Sequence, residues 1–147
     1  MMEPRELTRV CVNKLMELGA DAAQVSLSNS KKHELNVEAG AINLLRTTYD
    51  TGIRLTVLVD KRKASTSLNK TDPEAVDAAA RQVVEDARSS EPDEANAIAE
   101  YQPPKEFSRG PVEPDLDAMY DRLDAFLRHA KKAYPDTILE QVILDHS

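Results

Sequence analysis

Asp21-Ala-Ala-Gln-Val-Ser-Leu-Ser-Asn-Ser30, Lys31-Lys-His-Glu-Leu-Asn-Val-Glu-Ala-Gly40, Ala41-Ile-Asn-Leu-Leu-Arg-Thr-Thr-Tyr-Asp50 and Thr51-Gly-Ile-Arg-Leu-Thr-Val-Leu-Val-Asp60 form one stretch, continued to Leu68, in which apolar and polar residues alternate. Val25 and Leu27, Leu35 and Val37, Ile42 and Leu44, and then Ile53, Leu55, Val57 and Val59 fall on a period of two, the pattern of strands with one buried face. Turn chemistry interrupts it at Asn29-Ser30-Lys31-Lys32, Ala39-Gly40, Asp50-Thr51-Gly52 and Asp60-Lys61-Arg62-Lys63. The spacing therefore predicts about five short strands joined by tight turns, which make antiparallel neighbours.

Helical patterns flank this sheet. Pro4 suits a first helical turn, after which Leu7, Val10, Cys11, Leu15 and Leu18 recur at spacings of three and four until Gly19. A second helix is predicted after Leu68. Thr71 and Glu74 have capping-box spacing, Pro73 lies near the first helical position, and Val76, Ala79, Ala80, Val83, Val84 and Ala87 form a narrow apolar stripe that ends near Ser89-Ser90. Between Glu91 and Pro114 periodicity is lost, and Pro92, Pro103, Pro104, Pro111 and Pro114 mark a connection that Tyr101 and Phe107 could pin. Asp115 then caps a third helix with Leu116, Met119, Tyr120, Leu123, Phe126, Leu127 and Ala130 on one side and Pro135 beyond its end.

The expected fold is α+β, an antiparallel sheet of about five short strands with helices packed on one face. Residues 1–90 read as a helix-sheet-helix domain, 91–114 as a Pro-rich connection, and 115–147 as the helix and first strand of a following unit. Gln141-Val-Ile-Leu-Asp-His-Ser147 can be laid on Gln24-Val-Ser-Leu-Ser-Asn-Ser30, each after an amphipathic helix and a turn containing Asp. A helix-then-strand unit starting a second time implies a fragment of a longer protein; chance similarity of common strand residues is the alternative.

Composition narrows the function classes. The 147 residues suffice for a core without staples, and 41% hydrophobic with 31% charged residues is ordinary for a globular domain. Only 4% are aromatic, so the core should be aliphatic. A net charge of -7 argues against general nucleic-acid affinity, and Lys31-Lys32-His33 and Lys61-Arg62-Lys63 fall at predicted turns, where charge is usually solvated. No apolar run reaches the roughly 20 residues of a membrane span. Met1-Met2-Glu3-Pro4-Arg5-Glu6 is too polar for a signal peptide, and a reducing cytoplasm fits the lone Cys11, which reads as a small buried hydrophobe.

No catalytic, cofactor-binding or metal-ligating residue is identified. His33, His129 and His146 are scattered along the chain. His33-Glu34-Leu35-Asn36-Val37-Glu38 begins like a zinc-binding His-Glu helix, but on a strand positions 33 and 38 face opposite ways, roughly 16 Å apart at about 3.3 Å per residue. His33 reads instead as a turn residue. Ser26, Ser28 and Ser30, like Ser65-Thr66-Ser67, have no neighbouring base and orienter and read as the polar side of the sheet. Gly40, Gly52 and Gly110 are isolated, so no phosphate-cradling loop is present.

The ordered features from 15 to 100 resemble the N-terminal domain of the TldD/PmbA family, nearer its PmbA/TldE type. Leu18-Gly-Ala-Asp-Ala-Ala-Gln-Val-Ser-Leu-Ser28 resembles the family's helix end and first strand, and Val37-Glu-Ala-Gly-Ala-Ile-Asn-Leu-Leu45 its second hairpin. Asp50-Thr-Gly-Ile-Arg-Leu-Thr-Val-Leu-Val59 resembles the stretch the family usually writes with Gly-Leu-Gly-Val-Arg-Val, and Lys63-Ala-Ser-Thr-Ser67, Asp72-Pro-Glu-Ala-Val76 and Ser90-Glu-Pro-Asp93 resemble later pieces. Asn43 stands where the family usually has an acidic residue, and Arg54 and Ala64 where it has glycines.

The resemblance implies part of a protein some three times longer, belonging to a cytoplasmic zinc metallopeptidase system for peptide or unfolded-protein substrates. It implies that zinc sits on a TldD-type subunit carrying a His-Glu-x-x-x-His motif, which this chain lacks. This domain would contribute to substrate access and to contacts with a TldD-type subunit or with itself as a dimer, an edge strand near Ala64–Leu68 pairing with peptide backbone. The family's other label, modulator of DNA gyrase, does not suggest DNA binding at this charge. The alternative is a stand-alone protein-interaction module with no proteolytic role.

Overall fold

The computed structural model describes residues 3–147; Met1 and Met2, the start of the polar N-terminal reading, lie outside the described residues. The elements run α1 (Pro4–Glu17), β1 (Ala22–Glu38), β2 (Ala41–Val59), β3 (Arg62–Leu68), α2 (Pro73–Ser89), α3 (Leu116–Ala133) and β4 (Gln141–His146). The strands form one sheet in the order β3-β2-β1-β4. β2 pairs antiparallel with β3 from Ile53↔Leu68 to Val59↔Arg62, and β1 pairs antiparallel with β4 from His33↔His146 to Glu38↔Gln141. The fold is α+β, as expected.

The stretch from Asp21 to Leu68 holds three strands rather than about five, because two suspected turns are not turns, and β4 brings the sheet to four. β1 runs through Asn29-Ser30-Lys31-Lys32 and β2 through Asp50-Thr51-Gly52. The two polar stretches lie beside each other on neighbouring strands, with the Thr51 hydroxyl donating to Asn29 Oδ1 at 2.9 Å. Each thus meets the other's hydrogen-bonding need, and Gly52 has no positive φ. True reversals occur at Ala39-Gly40 (φ 51° and 80°) and Asp60-Lys61 (φ 48° and 62°), two-residue turns whose left-handed backbone matches strand twist. Asp60 has no glycine's freedom, and its N–H is held by Asp21 Oδ2 at 2.7 Å.

Contacts divide the chain into two compact units, Met1–Asn29 with Asp50–Pro104, and Ser30–Tyr49 with Lys105–Ser147. The first unit has the larger core. Cys11 and Leu15 from α1, Ile53, Leu55 and Val57 from β2, and Val76, Ala80, Val83, Val84 and Ala87 from α2 meet there, with Val25 and Leu27 of β1 packed against them. Small residues on α2 let the helix lie close to β3 and α1. Both later helices carry a side-chain cap: Asp72 accepts from Ala75 N and Asp115 from Ala118 N, each at 2.9 Å. The α2 cap is therefore Asp72 with Pro73 at the first turn, one residue later than the Thr71 capping box the spacing suggests. Gly19, at φ 97°, ends α1 where the Arg88 guanidinium donates to Leu18 O at 2.9 Å.

The second unit is thinner. Leu35 and Val37 of β1 and Leu123 of α3 are buried, with Ile42, Met119, Leu127, Val142 and Leu144 around them. In this unit α3 covers the sheet face that carries the odd-numbered residues of β1, and β4 adds Val142 and Leu144 directly opposite Val37 and Leu35.

Candidate functional site

Three surfaces carry chemistry. In the first unit, β3 is an edge of the sheet. The two-residue turn at Asp60-Lys61 makes Val59 and Arg62 a hydrogen-bonded pair, so Ala64, Thr66 and Leu68 also direct their main-chain groups towards β2. Lys63, Ser65 and Ser67 therefore turn theirs outward. The start of this edge is occupied: Asp93 N and Asn96 Nδ2 donate to Lys61 O at 3.0 and 2.9 Å, and Ser90 Oγ, which donates to Ala87 O at 2.9 Å, stands 3.5 Å from Lys63 O. The open part is Ser65 to Ser67. Ser65 itself shares a 2.8 Å hydrogen bond with Thr56, a cross-strand polar pair and not an activated nucleophile.

In the second unit, Glu34 sits on the sheet face opposite Leu35 and Val37, with 3% of its side chain exposed. Lys32 Nζ lies 2.8 Å from Oε2, Asn36 Nδ2 donates to Oε1 at 3.0 Å, and the Arg46 guanidinium also bonds Oε1. The bonds from Lys32, Asn36 and Arg46 outweigh burial and hold the carboxyl down at about 2. Such a group neither gives nor takes a proton near neutrality, so it is a fixed anion that organises two cations and no general base. The alternation predicted polar residues on this face but not that one would be a buried, charged hub.

The third surface joins β1 to the end of the Pro-rich connection. Lys31 Nζ donates to both carboxylate oxygens of Glu113 at 2.8 Å, and lies 6.0 Å from the centre of the Tyr49 ring. His33 is buried in β1, not in a turn, and its Nδ1 shares a 3.0 Å hydrogen bond with Thr47 Oγ1. Its Nε2 has no hydrogen-bond partner among the described residues and lies 3.7 Å from Glu113 Oε2. His146 is the cross-strand partner of His33. Residues 113 apart are thus neighbours, which spacing along the chain could not reveal; His129 stands apart on α3. Lys31 and Lys32 are ion-paired mid-strand, not solvated at a turn, whereas Lys61 does lie in a turn. Cys11 is buried, and burial pushes its thiol up from the ordinary range, which disfavours the thiolate.

Among the described residues, no group of three or more His, Cys, Asp or Glu side chains is placed to hold a metal ion, so these residues do not fit a zinc site. No helix among them is long and apolar enough to cross a membrane.

Residues 23–87, which hold β1, the first hairpins and most of α2, match the family model described as PmbA/TldA metallopeptidase domain 1. Residues 23–87 are a first domain of the TldD/PmbA family. The match covers the β3 edge and the Glu34 hub, and stops before the segment that carries Glu113. No curated protein sequence matches the chain. Among solved structures, the chain is similar to TldE from Thermococcus kodakarensis, at 18% identity and a TM-score of 0.68 over 95% of this chain and 34% of that one. It is also similar to a protein from Bacteroides thetaiotaomicron designated a modulator of DNA gyrase, at 21% identity and 0.60 over 96% of this chain and 33% of that one. A third, from Thermotoga maritima with the same designation, is 12% identical at 0.53 over 96% and 32%. At these identities the likeness is one of fold. The chain spans about a third of the length of the solved proteins it resembles.

Proposed function

We propose that this chain acts as the non-catalytic first domain of a TldD/PmbA-type zinc metallopeptidase system in the cytoplasm, contributing to substrate access and to contacts with a TldD-type subunit or with a second copy of itself. Zinc would be supplied by the TldD-type subunit, which the resemblance implies carries the His-Glu-x-x-x-His motif. The supporting observation is the open β3 edge. Main-chain groups at Ser65 and Ser67 face outward in an extended strand, and an edge of this kind pairs with a peptide through backbone alone, whatever its side chains. That suits a peptidase acting on unfolded or varied peptides. Lys63, Ser65 and Ser67 also keep the edge polar, which limits unwanted pairing.

The register supplies the test. Ser65→Pro removes an outward N–H and leaves the β2 ladder whole, whereas Thr66→Pro removes an N–H that bonds β2 and should cost roughly 1 kcal/mol or more of stability. In the assembled complex with its zinc-bearing subunit, Ser65→Pro should lower peptide turnover several-fold, whereas Ser65→Ala, which loses the same hydrogen bond to Thr56 but keeps the N–H, should not. Unchanged turnover would remove the edge from the mechanism. Failure of any zinc-bearing peptidase subunit to co-purify with the native protein would overturn the wider reading in favour of a stand-alone interaction module.

A further inference from the structure

The Lys31–His33–Glu113 contact has the form of a ligand site filled from within. Glu113 arrives on Pro111-Val-Glu-Pro114, and a residue before proline is confined to extended backbone. Its carboxylate reaches Lys31 with two 2.8 Å bonds but stops 3.7 Å from His33 Nε2, beyond hydrogen-bond range. That nitrogen is buried and has no partner among the described residues, which is uncommon for a polar atom in a folded interior. Either partner of the Nδ1–Thr47 hydroxyl hydrogen bond can be its donor; in the tautomer in which the hydroxyl donates, the ring proton lies on Nε2 and the imidazole is a donor still to be used. Tyr49, beside Lys31, and His146, across from His33, complete a cationic and aromatic surround. Lys31 draws the Glu113 carboxyl below its ordinary range, with smaller help from His33 and His146.

We propose that Lys31 and His33 form a carboxylate-binding site for peptides, and that Glu113 occupies it in cis as a displaceable stand-in. A carboxylate free of the proline-flanked segment can move closer than Glu113 and accept from both Lys31 Nζ and His33 Nε2. Displacement is easy because Glu113 is 64% exposed, and an exposed ion pair holds its partner only weakly. The carboxylate is either a peptide C-terminus or an acidic side chain. The inference rests on the peptide-handling role proposed above, but its test needs no turnover, so the two can fail separately.

Three tripeptides serve as probes against the 147-residue chain at low salt: an acetylated trialanine with a free C-terminus, its C-terminal amide, and an amidated peptide with a central Glu. Binding is read from amide chemical shifts of β1 and residues 110–114. Glu113→Gln should tighten binding of a carboxylate-bearing probe about fivefold, the factor expected when a weak competitor is removed. Lys31→Gln in the same background should abolish it, and the amide without Glu should not bind. Preference for the first or third probe identifies the source of the carboxylate. Equal binding of the plain amide, or no gain on Glu113→Gln with the fold intact by circular dichroism, would overturn the proposal. Thr47→Val is a second check: without the hydroxyl the imidazole loses its orientation, and carboxylate affinity should fall while Lys31 remains in place.

Discussion

Leu123→Ala would show how far the second unit stands on one side chain. Leu123 is 3% exposed and is the one buried residue on α3, facing Leu35 and Val37. The change deletes three carbons, and at about 0.8 kcal/mol per buried methylene the transfer loss is about 2.4 kcal/mol. A cavity contribution adds to this, but it should be small because Met119 and Leu127 are only partly buried and can move into the space. The expected cost is about 2.5–3 kcal/mol, at the low end for buried leucines. The larger first core has no share in this contact, since its buried residues are those of α1, β2 and α2 with Ala20. Hydrogen exchange with mass spectrometry should therefore show lost protection in 116–133 and 141–146, with 73–89 unchanged. A urea titration should show an early transition confined to the same segments. Equal loss of protection in α2 would refute the two-core reasoning, and a cost under about 1 kcal/mol would refute the claim that Leu123 holds this unit together.

Other outcomes follow from single residues. Glu34 has a folded value near 2 against an ordinary 4.5, so its contribution to stability is fully present above about pH 4.5 and is lost as pH falls through about 2. Glu34→Gln should lower the melting temperature at pH 7 and flatten its fall between pH 4.5 and 2; an acid limb of unchanged steepness would contradict that assignment. Gly19→Ala forces a side chain onto φ 97° and brings a Cβ within 2.9 Å of Arg88 Nη2. Because that guanidinium can swing aside, the cost is mainly backbone strain, about 1–2 kcal/mol by chemical denaturation. A neutral result would mean that the α1 terminus can adopt another backbone conformation.

Much of the fold was legible because it depends on local chemistry. Pro4 at the start of α1, Asp115 as the α3 cap and the reversals at Ala39-Gly40 and Asp60-Lys61 each follow from one or two residues acting on their own backbone. That Gln141–His146 forms a strand was legible from its likeness to residues 24–30, but its partner was not. The strand count was not, since Asn29 and Thr51 look like turn residues until each is the other's partner across the ribbon. The candidate sites were less legible still. Serine and histidine patterns pointed to no active site, but nothing in the spacing placed Glu113 on Lys31 and His33, or Arg46 on Glu34.

By itself, then, the sequence determined the three helices, the Asp115 cap, the reversals at Ala39-Gly40 and Asp60-Lys61, the apolar face of the sheet residues, the acidic charge and a family resemblance from residue 15 to 100. Periodicity, capping and turn formation act within a few residues, so they can be read along a line. Only the tertiary structure decided that β4 returns to β1, that β3 is an edge with Ser65 and Ser67 facing outward, and that Glu34 and His33 are buried. Each of those depends on pairing between segments distant along the chain, where register sets which groups face solvent and which face a partner.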